Sequence, residues 1–431
     1  MACTAASTQG VNQLNQDLRT FKTLANILDS YTLNNNLQEN LEKLGEQDWS
    51  DLAELASQHG VSPRFYQTVK ALAKTEPFPA DLHTRLKNVY LQNAVRNTIL
   101  LSRATKLLQD FNANNIDTIA LKGIYLVENI NRTIAERYFC DIDLLVKRAD
   151  LPKAIARAQE CGFNPSTYFD PADQDIDIKH VPPMVNHDGL PLEIHWRLLE
   201  EDEPFIIDTA ELWQRAIPAK VAGVDVLALS PEDFAAHLCL HFTYQHYLSL
   251  GLKGLLDVAD VLRHFQGQFD WDLFLSIVSN WQCKRVAWLT LSLVREFSTV
   301  SIPDEVIIVL QPVGIETWVI QQARTQFLMH DSTRVEVTPD LAEFSEANKF
   351  LLKFKIGMSR VFLPRRVIAR LYNLHPNSPE ILKGYFFRVK DLSRRYGNRV
   401  WNPKPQSLQW KKVVAEEQER MKLCAWMGKE G

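Results

Sequence analysis

Two aspartates separated by one residue stand in the segment RYFCDIDLLV, residues 137–146. Alternate residues of a β-strand point to the same side, so Asp141 and Asp143 are predicted to share one face. Cys140 alternates with them and is expected in the core. Two carboxylates on one face repel each other and lose hydration unless a cation lies between them. The pattern therefore predicts a divalent-cation site, and Mg²⁺ suits it because this ion takes oxygen ligands from a few carboxylates and shares the rest with substrate phosphates.

A third carboxylate stands in the apolar run PLEIHW, residues 191–196. If this run is a strand next to the first, Glu193 joins the two aspartates and His195 shares its face. Three carboxylates suit a two-metal transfer, in which one ion orients an acceptor hydroxyl and the other holds a triphosphate.

Two further positions could meet phosphate. The pair Lys122-Gly123 stands where the apolar run 116–121 passes into a helix. Gly123 would let the backbone approach an anion at a helix N-terminus, and Lys122 could contact the triphosphate. Arg137, four residues before Asp141, is a second candidate for phosphate contact.

Helical and strand-like patterns alternate along the chain and predict an α+β fold. Apolar residues recur at spacings of three and four through residues 21–111, which predicts helices. Short apolar runs follow, with one helix from Leu151 to Cys161 that should end at Gly162. Ser230 and Pro231 then read as an N-cap and first helical residue. The expected divisions are 1–20 as a disordered segment, 21–111 helical, 112–228 the catalytic core, 229–345 helical and 346–431 a basic helical region.

Composition excludes several classes of protein. The 431 residues carry a net charge of −4, and the six cysteines form no C-x-x-C pair. This is neither a disulfide framework nor a zinc ribbon. The N-terminal segment has no basic region followed by an apolar one, and no run of about 20 apolar residues occurs. A cytoplasmic protein without a membrane partner is expected.

The segment 349–399 differs in charge from the rest of the chain. It holds thirteen Lys/Arg against two Asp/Glu, which leaves 35 basic and 50 acidic residues elsewhere. Aromatic residues are interleaved with the basic ones. The pattern is typical of an amphipathic helix with a solvated basic face. It also suits a surface that receives polyphosphate, RNA or an acidic partner.

The order of these motifs resembles the uncharacterised bacterial nucleotidyltransferase family of the DNA-polymerase-β-like superfamily. The segments ALKGIYL, RYFCDIDLLV and LEIHWRL carry the resemblance, which extends from about residue 45 to 400. It implies a nucleotidyltransferase core, with a small mixed sheet and helices, flanked by N- and C-terminal helical domains. Asp141 and Asp143 would be the paired metal ligands and Glu193 the third. The superfamily usually has a G-[GS] pair before the D-x-D strand, whereas this chain has Lys122-Gly123 and no serine there to touch the nucleotide.

The expected function is transfer of a nucleoside monophosphate from an NTP, with ATP favoured, to an acceptor hydroxyl. Mg²⁺, or Mn²⁺ in its place, would be the cofactor. The acceptor could be a small-molecule alcohol, a protein hydroxyl or an RNA end, and the oligomeric state is open. Two alternatives are a catalytically degenerate nucleotide-binding or scaffold protein, which uses the basic region to bind a partner, and a metal-dependent phosphohydrolase with water as acceptor.

Two groups of histidines allow more than one interpretation. His237, His241 and His246 stand in one helical run without an acidic metal motif, so packing or hydrogen bonding is expected. One of them could instead reach the cleft. His180 and His187 precede the Glu193 strand, either in a hairpin near the carboxylates or in an exposed loop.

Overall fold

The protein is described by a computed structural model, which covers residues 18–30, 41–72, 78–167, 169, 178–314, 317–328, 358, 360–401 and 408–429. Residues 1–17 of the segment expected to be disordered, and 349–357 of the basic segment, lie outside the described residues. Residues 18–29 are helical. The longest helix, of 34 residues, begins after Pro79 and leads directly to the sheet. Three further helices precede the sheet: α1 (Glu46–Gln58), α2 (Ser62–Leu72) and α3 (Ala80–Ala113).

The central element is a seven-stranded mixed sheet with the strand order β3-β4-β5-β2-β1-β7-β6. The middle of the sheet is parallel between β2 and β5 and antiparallel between β1 and β2. All five residues of β2 are buried, so both faces of this strand are covered. The strands are β1 (Thr118–Ala120), β2 (Ile142–Val146), β3 (Asn164–Pro165), β4 (Met184–Val185), β5 (Pro191–His195), β6 (Ile217–Val221) and β7 (Val224–Ala228).

Two helix boundaries in and after the sheet region lie where the sequence predicts them. The helix that follows β2 ends at Glu160, and Gly162 adopts a left-handed backbone with φ 91°, as a residue that terminates a helix often does. The Ser230 side chain accepts a hydrogen bond from the Asp233 N–H, with proline at the next position. The helices within the sheet region are α4 (Lys122–Tyr125), the π-helix Leu126–Ile130, the 3₁₀ turn Arg148–Asp150, α5 (Leu151–Glu160) and α6 (Thr209–Arg215).

Helices make up the rest of the described chain. Buried apolar side chains of the N-terminal helices, the sheet and most later helices form one continuous cluster. No described helix has the length and apolar character needed to cross a bilayer. The helices are α7 (Pro231–Cys239), the π-helix Leu240–Gln245, α8 (Gly251–His264), α9 (Trp271–Asn280), α10 (Lys284–Phe297), α11 (Asp304–Leu310), α12 (Thr317–Leu328), α13 (Arg365–Tyr372), α14 (Ile381–Trp401) and α15 (Leu408–Met427).

A buried ion-pair network joins the N-terminal helices to α8. The Arg64 guanidinium on α2 donates two hydrogen bonds to Asp260 on α8. Its Nε donates a third to the backbone carbonyl of Leu28. Arg263 then pairs with both Asp260 and Asp29. Because these charges are buried, loss of one partner would leave the other without compensation. The network therefore fixes the helices that flank the sheet.

The mixed α and β composition and the mixed sheet agree with the expected fold class. One detail of the first strand is wrong in the sequence analysis. Cys140 is exposed rather than in the core, because the strand begins only at Ile142 and the alternation of faces does not extend to the residues before it.

Candidate metal and phosphate site

The strand register brings two of the predicted carboxylates together. Asp143 on β2 and Glu193 on β5 are paired residues of neighbouring parallel strands. Paired residues of adjacent strands project from the same face of a sheet, so both carboxylates lie side by side although 50 positions separate them in the chain. Asp143 is 1% exposed and Glu193 is partly buried. A buried carboxylate must have a compensating partner.

Two nitrogen groups contact Asp143. Lys122 Nζ lies 2.8 Å from Asp143 Oδ1, and His195 Nε2 lies 2.9 Å from the same oxygen. His195 follows Glu193 by two residues on the same face of β5, and its Nε2 is 3.4 Å from Glu193 Oε2. Burial acts to raise the pKa of Asp143, but the Lys122 ammonium and the His195 hydrogen bond hold it well below its usual range. Asp143 is therefore ionised at neutral pH.

The Lys122 backbone is strained. Its φ is 44°, in the left-handed region that L-residues rarely adopt. Such strain persists only where surrounding structure holds it, and it clusters at functional sites. Burial acts to lower the pKa of Lys122, but the Asp143 carboxylate outweighs this effect and the pKa is raised. A charged ammonium therefore stands in the place where the buried carboxylates need a cation.

Donor atoms suited to a metal ion converge at this point. Within the described residues, Asp143, Glu193 and His195 each offer one ligand atom, and these atoms lie within 4.8 Å of one another. Asp141 stands just outside this group, since it precedes the first residue of β2. Burial and the neighbouring Asp143 carboxylate raise the pKa of Asp141, so a cation bound between the two would stabilise its charged form.

His180 was left open by the sequence and lies at the site. A β-bridge pairs it with His195, and the two rings are 4.9 Å apart. Its Nδ1 is 2.7 Å from the Val181 carbonyl oxygen, and its Nε2 is 3.8 Å from Glu193 Oε2. A carbonyl can only accept, so Nδ1 carries the proton and the Nε2 lone pair faces the carboxylates, as in metal-ligating histidines. His187, by contrast, has a side chain that is 75% exposed.

The other two predicted phosphate contacts have structural partners. Arg137 pairs with Asp257 of α8 through Nε at 2.6 Å and Nη2 at 2.7 Å. Gly123 is buried, and a Cβ added there would lie 2.6 Å from the Phe139 Cβ. Gly123 thus allows the close packing of α4 against the segment that leads into β2. Nothing in the sequence near Arg137 indicated Asp257, because 120 residues separate the two.

Two lysines that stand in no sequence motif also lie near the site. The Lys253 ammonium on α8 offsets part of the rise in the pKa of Asp141, and Lys179 lies close enough to Lys122 for the Lys122 ammonium to lower its pKa. Burial is the main cause that lowers the pKa of both lysines. A nearby cation lowers each pKa further: Arg137 acts on Lys253, and Lys122 acts on Lys179. Clustered cations in a partly buried site favour an anionic ligand. The sequence signal was weak, because neither lysine stands in a motif.

The three histidines after the sheet are stacked along one side of α7 and its π-helical extension. His241 and His246 bring their Nε2 atoms to 3.1 Å, and the His237 and His241 rings are 6.0 Å apart. Burial and then the Lys122 ammonium lower the pKa of His246 to about 4. His237 Nε2 is buried without a hydrogen-bond partner among the described residues. Packing alone therefore leaves this nitrogen without the hydrogen bond that a buried polar atom needs.

The site is thus a group of carboxylates and imidazoles on a mixed sheet, with lysines at its border, and it can hold a divalent cation and an anionic ligand. A family model described as an uncharacterised nucleotidyltransferase matches residues 45–299. This match covers more than half of the chain, and the chain belongs to that family. No curated protein matches the chain. The matched residues include the whole site, whereas the resemblance of the segment beyond residue 299 stays a prediction.

Proposed function

We propose that this protein transfers a nucleoside monophosphate from an NTP, with ATP favoured, to an acceptor hydroxyl. The observation that carries the proposal is the in-register pair of Asp143 and Glu193 with His195, in a chain of a nucleotidyltransferase family. The three donor atoms would converge on one ion once the His195 Nε2 proton, which faces Asp143, moves to Nδ1, an atom with no hydrogen-bond partner among the described residues.

The residues present fit a divalent metal. Asp143 and Glu193 would hold it with His195, and Asp141 would turn towards it as a further ligand. Mg²⁺ or Mn²⁺ bound there would supply positive charge to the triphosphate and favour the deprotonated acceptor hydroxyl. Glu193, the more accessible of the paired carboxylates, would bind on the acceptor side and accept or relay its proton.

The lysines would position the triphosphate. Lys122 is held in reach of Asp143 by its strained backbone, and it would move from that carboxylate to a phosphate once a metal neutralises the site. Arg137 would contact phosphate only after leaving Asp257. Lys253, which acts on Asp141 and has no ion pair within the described residues, is the more available cation. Phosphoryl transfer depends mainly on such positioning and charge stabilisation.

Calorimetry and a labelling assay test the proposal. A non-hydrolysable ATP analogue is titrated into the wild type and into Asp141→Asn/Asp143→Asn, with and without Mg²⁺ or Mn²⁺. We expect binding that needs both the metal and the aspartates, and loss of label transfer from α-labelled ATP to an acceptor fraction in the double variant. The matched control is Asp117→Asn/Asp225→Asn, which removes two exposed carboxylates of the sheet region and should behave as the wild type.

Unchanged turnover in Asp141→Asn/Asp143→Asn would refute the assignment of the site. Release of NMP into water without an acceptor would instead support a phosphohydrolase.

A second candidate is a nucleotide-binding protein with a degenerate site. One observation favours it: the Lys122 ammonium already neutralises Asp143, so the buried carboxylate is stable without a metal. Nucleotide binding that is independent of metal, with no label transfer under any condition, would favour this candidate.

A further inference from the structure

The C-terminal hairpin, formed by α13 and α14, has a small apolar core of its own. Ile368 and Ile381 are buried there, apart from the main cluster. Gly384 allows the two helices to approach, since a Cβ at this position would lie 2.5 Å from Ile368 Cγ2. Two hydrogen bonds hold the pair, from the Tyr385 hydroxyl to the Leu363 carbonyl at 2.8 Å and from the Tyr372 hydroxyl to Asp391 at 3.0 Å. The inner face of the hairpin is therefore defined.

The outer face of α14 exposes an apolar stripe. Leu382, Phe386 and Val389 follow one another at spacings of four and three, which places them on one side of the helix. They are 68%, 68% and 48% exposed. Phe362, just before α13, adds a side chain that is 61% exposed. None of these side chains contributes to the hairpin core.

A basic row runs beside the apolar stripe. Lys383, Lys390 and Arg394 are exposed. Lys383 and Lys390 each follow a residue of the stripe and so lie about 100° further around the helix, and Arg394 lies four residues after Lys390 on the same side. Lys383 also pairs with Glu380 at 2.7 Å on the surface. Residues 360–394 hold eight Lys/Arg against two Asp/Glu, although the whole chain has a net charge of −4. The hairpin thus has the opposite charge to the rest of the protein.

We propose that the C-terminal hairpin docks on an anionic phospholipid surface, a membrane partner that the composition alone does not predict. A helix with exposed apolar side chains beside a row of lysine and arginine is suited to lie in a membrane interface, with the apolar groups at the acyl boundary and the cations at lipid phosphates. Nucleic acid fits the surface less well, because Leu382 and Val389 cannot stack on bases and would stay in water. The docking occurs outside the family-matched region and does not depend on the catalytic site.

Co-sedimentation of the full chain with vesicles tests the proposal. Vesicles of phosphatidylcholine alone are compared with vesicles that also contain phosphatidylglycerol. We expect the wild type to bind the phosphatidylglycerol vesicles, less strongly as salt rises, and to bind phosphatidylcholine vesicles weakly. The variant Leu382→Gln/Phe386→Gln/Val389→Gln should bind more than about tenfold more weakly, because each lost side chain contributes apolar burial.

A second variant and a matched control make the result specific. Lys383→Gln/Lys390→Gln/Arg394→Gln should lose the preference for phosphatidylglycerol. Ile308→Gln/Val309→Gln on α11 removes two apolar side chains that are 68% and 57% exposed, beside acidic residues, and should leave binding unchanged. Equal sedimentation of the wild type and both hairpin variants would overturn the proposal. Absence of vesicle binding by the wild type would also overturn the proposal, whether or not the protein binds a single-stranded RNA.

Discussion

Replacement of Lys122 by methionine should change metal and nucleotide affinity in opposite directions. The Lys122 ammonium lies 2.8 Å from Asp143 Oδ1, and the two side chains are 12% and 2% exposed. A metal that binds Asp143 must displace this ammonium. In Lys122→Met the competitor is absent, so the metal should bind more tightly. Nucleotide should bind more weakly, because the proposed phosphate contact is lost.

The size of the effect follows from the ion pair. A hydrogen bond between charged groups contributes about 1.5–3 kcal/mol net, so removal of the competitor should strengthen Mn²⁺ binding by roughly ten- to hundredfold. The metal-free variant loses the partner of a buried carboxylate and should unfold more easily by about 3 kcal/mol. Bound Mn²⁺ compensates that charge and should restore most of the loss.

Calorimetry with Mn²⁺ at pH 8, where protons compete little with the metal, measures the affinity, and thermal unfolding with and without Mn²⁺ measures the stability. Lys147→Met is the matched control, because Lys147 pairs with Asp117 at 2.6 Å but is 46% exposed; it should change neither quantity. Mn²⁺ binding to Lys122→Met that equals or falls below the wild-type value would refute the competition and the metal site with it.

Three further outcomes are expected. The wild type should bind Mn²⁺ more tightly than Mg²⁺, because an imidazole donor suits transition metals and Mg²⁺ prefers oxygen. His195→Gln should weaken Mn²⁺ binding by at least about tenfold and so reduce the difference in affinity between the two ions. An unchanged Mn²⁺ affinity in this variant would show that His195 is not a metal ligand. His246, whose folded pKa is about 4, should contribute up to about 3 kcal/mol to the fall in the free energy of unfolding between about pH 6.5 and pH 4, because the unfolded chain binds a proton there and the folded chain does not. Urea unfolding of His246→Gln should show a shallower decline over this range, and a pH profile parallel to that of the wild type would contradict the assignment. Gly123→Ala should destabilise the protein by about 1–3 kcal/mol, because the new Cβ would lie 2.6 Å from the Phe139 Cβ and 2.9 Å from Arg137 Nη1. If urea unfolding gives the variant the same stability as the wild type, the segment that holds Arg137 and Phe139 can move to make room for the methyl group.

Local pattern was sufficient to predict much of the site's framework. The apolar run that contains Asp143 is a strand, from Ile142 to Val146, although the strand begins after Asp141 rather than before it. The Leu151 helix and the Ser230 cap also follow the prediction. These features depend on periodicity and on residues next to one another in the chain, so the sequence contains the information directly.

The partners of the site residues could not be predicted in the same way. The register that sets Asp143 beside Glu193 and makes His195 contact Asp143 depends on how two distant strands pair. The alternation of faces also failed for Cys140, since the strand begins later than the pattern suggests.

The sequence by itself determined which residues could do chemistry and, within the limits of β2 and β5, which face presents Asp143, Glu193 and His195, because backbone geometry repeats along a strand. Only the tertiary structure decided that Asp257 pairs with Arg137, that Lys122 neutralises Asp143, and that His180 turns its Nε2 towards Glu193. Each of these contacts joins segments that are far apart in the chain. Because a buried charge cannot be compensated by water, it needs a specific partner within the protein.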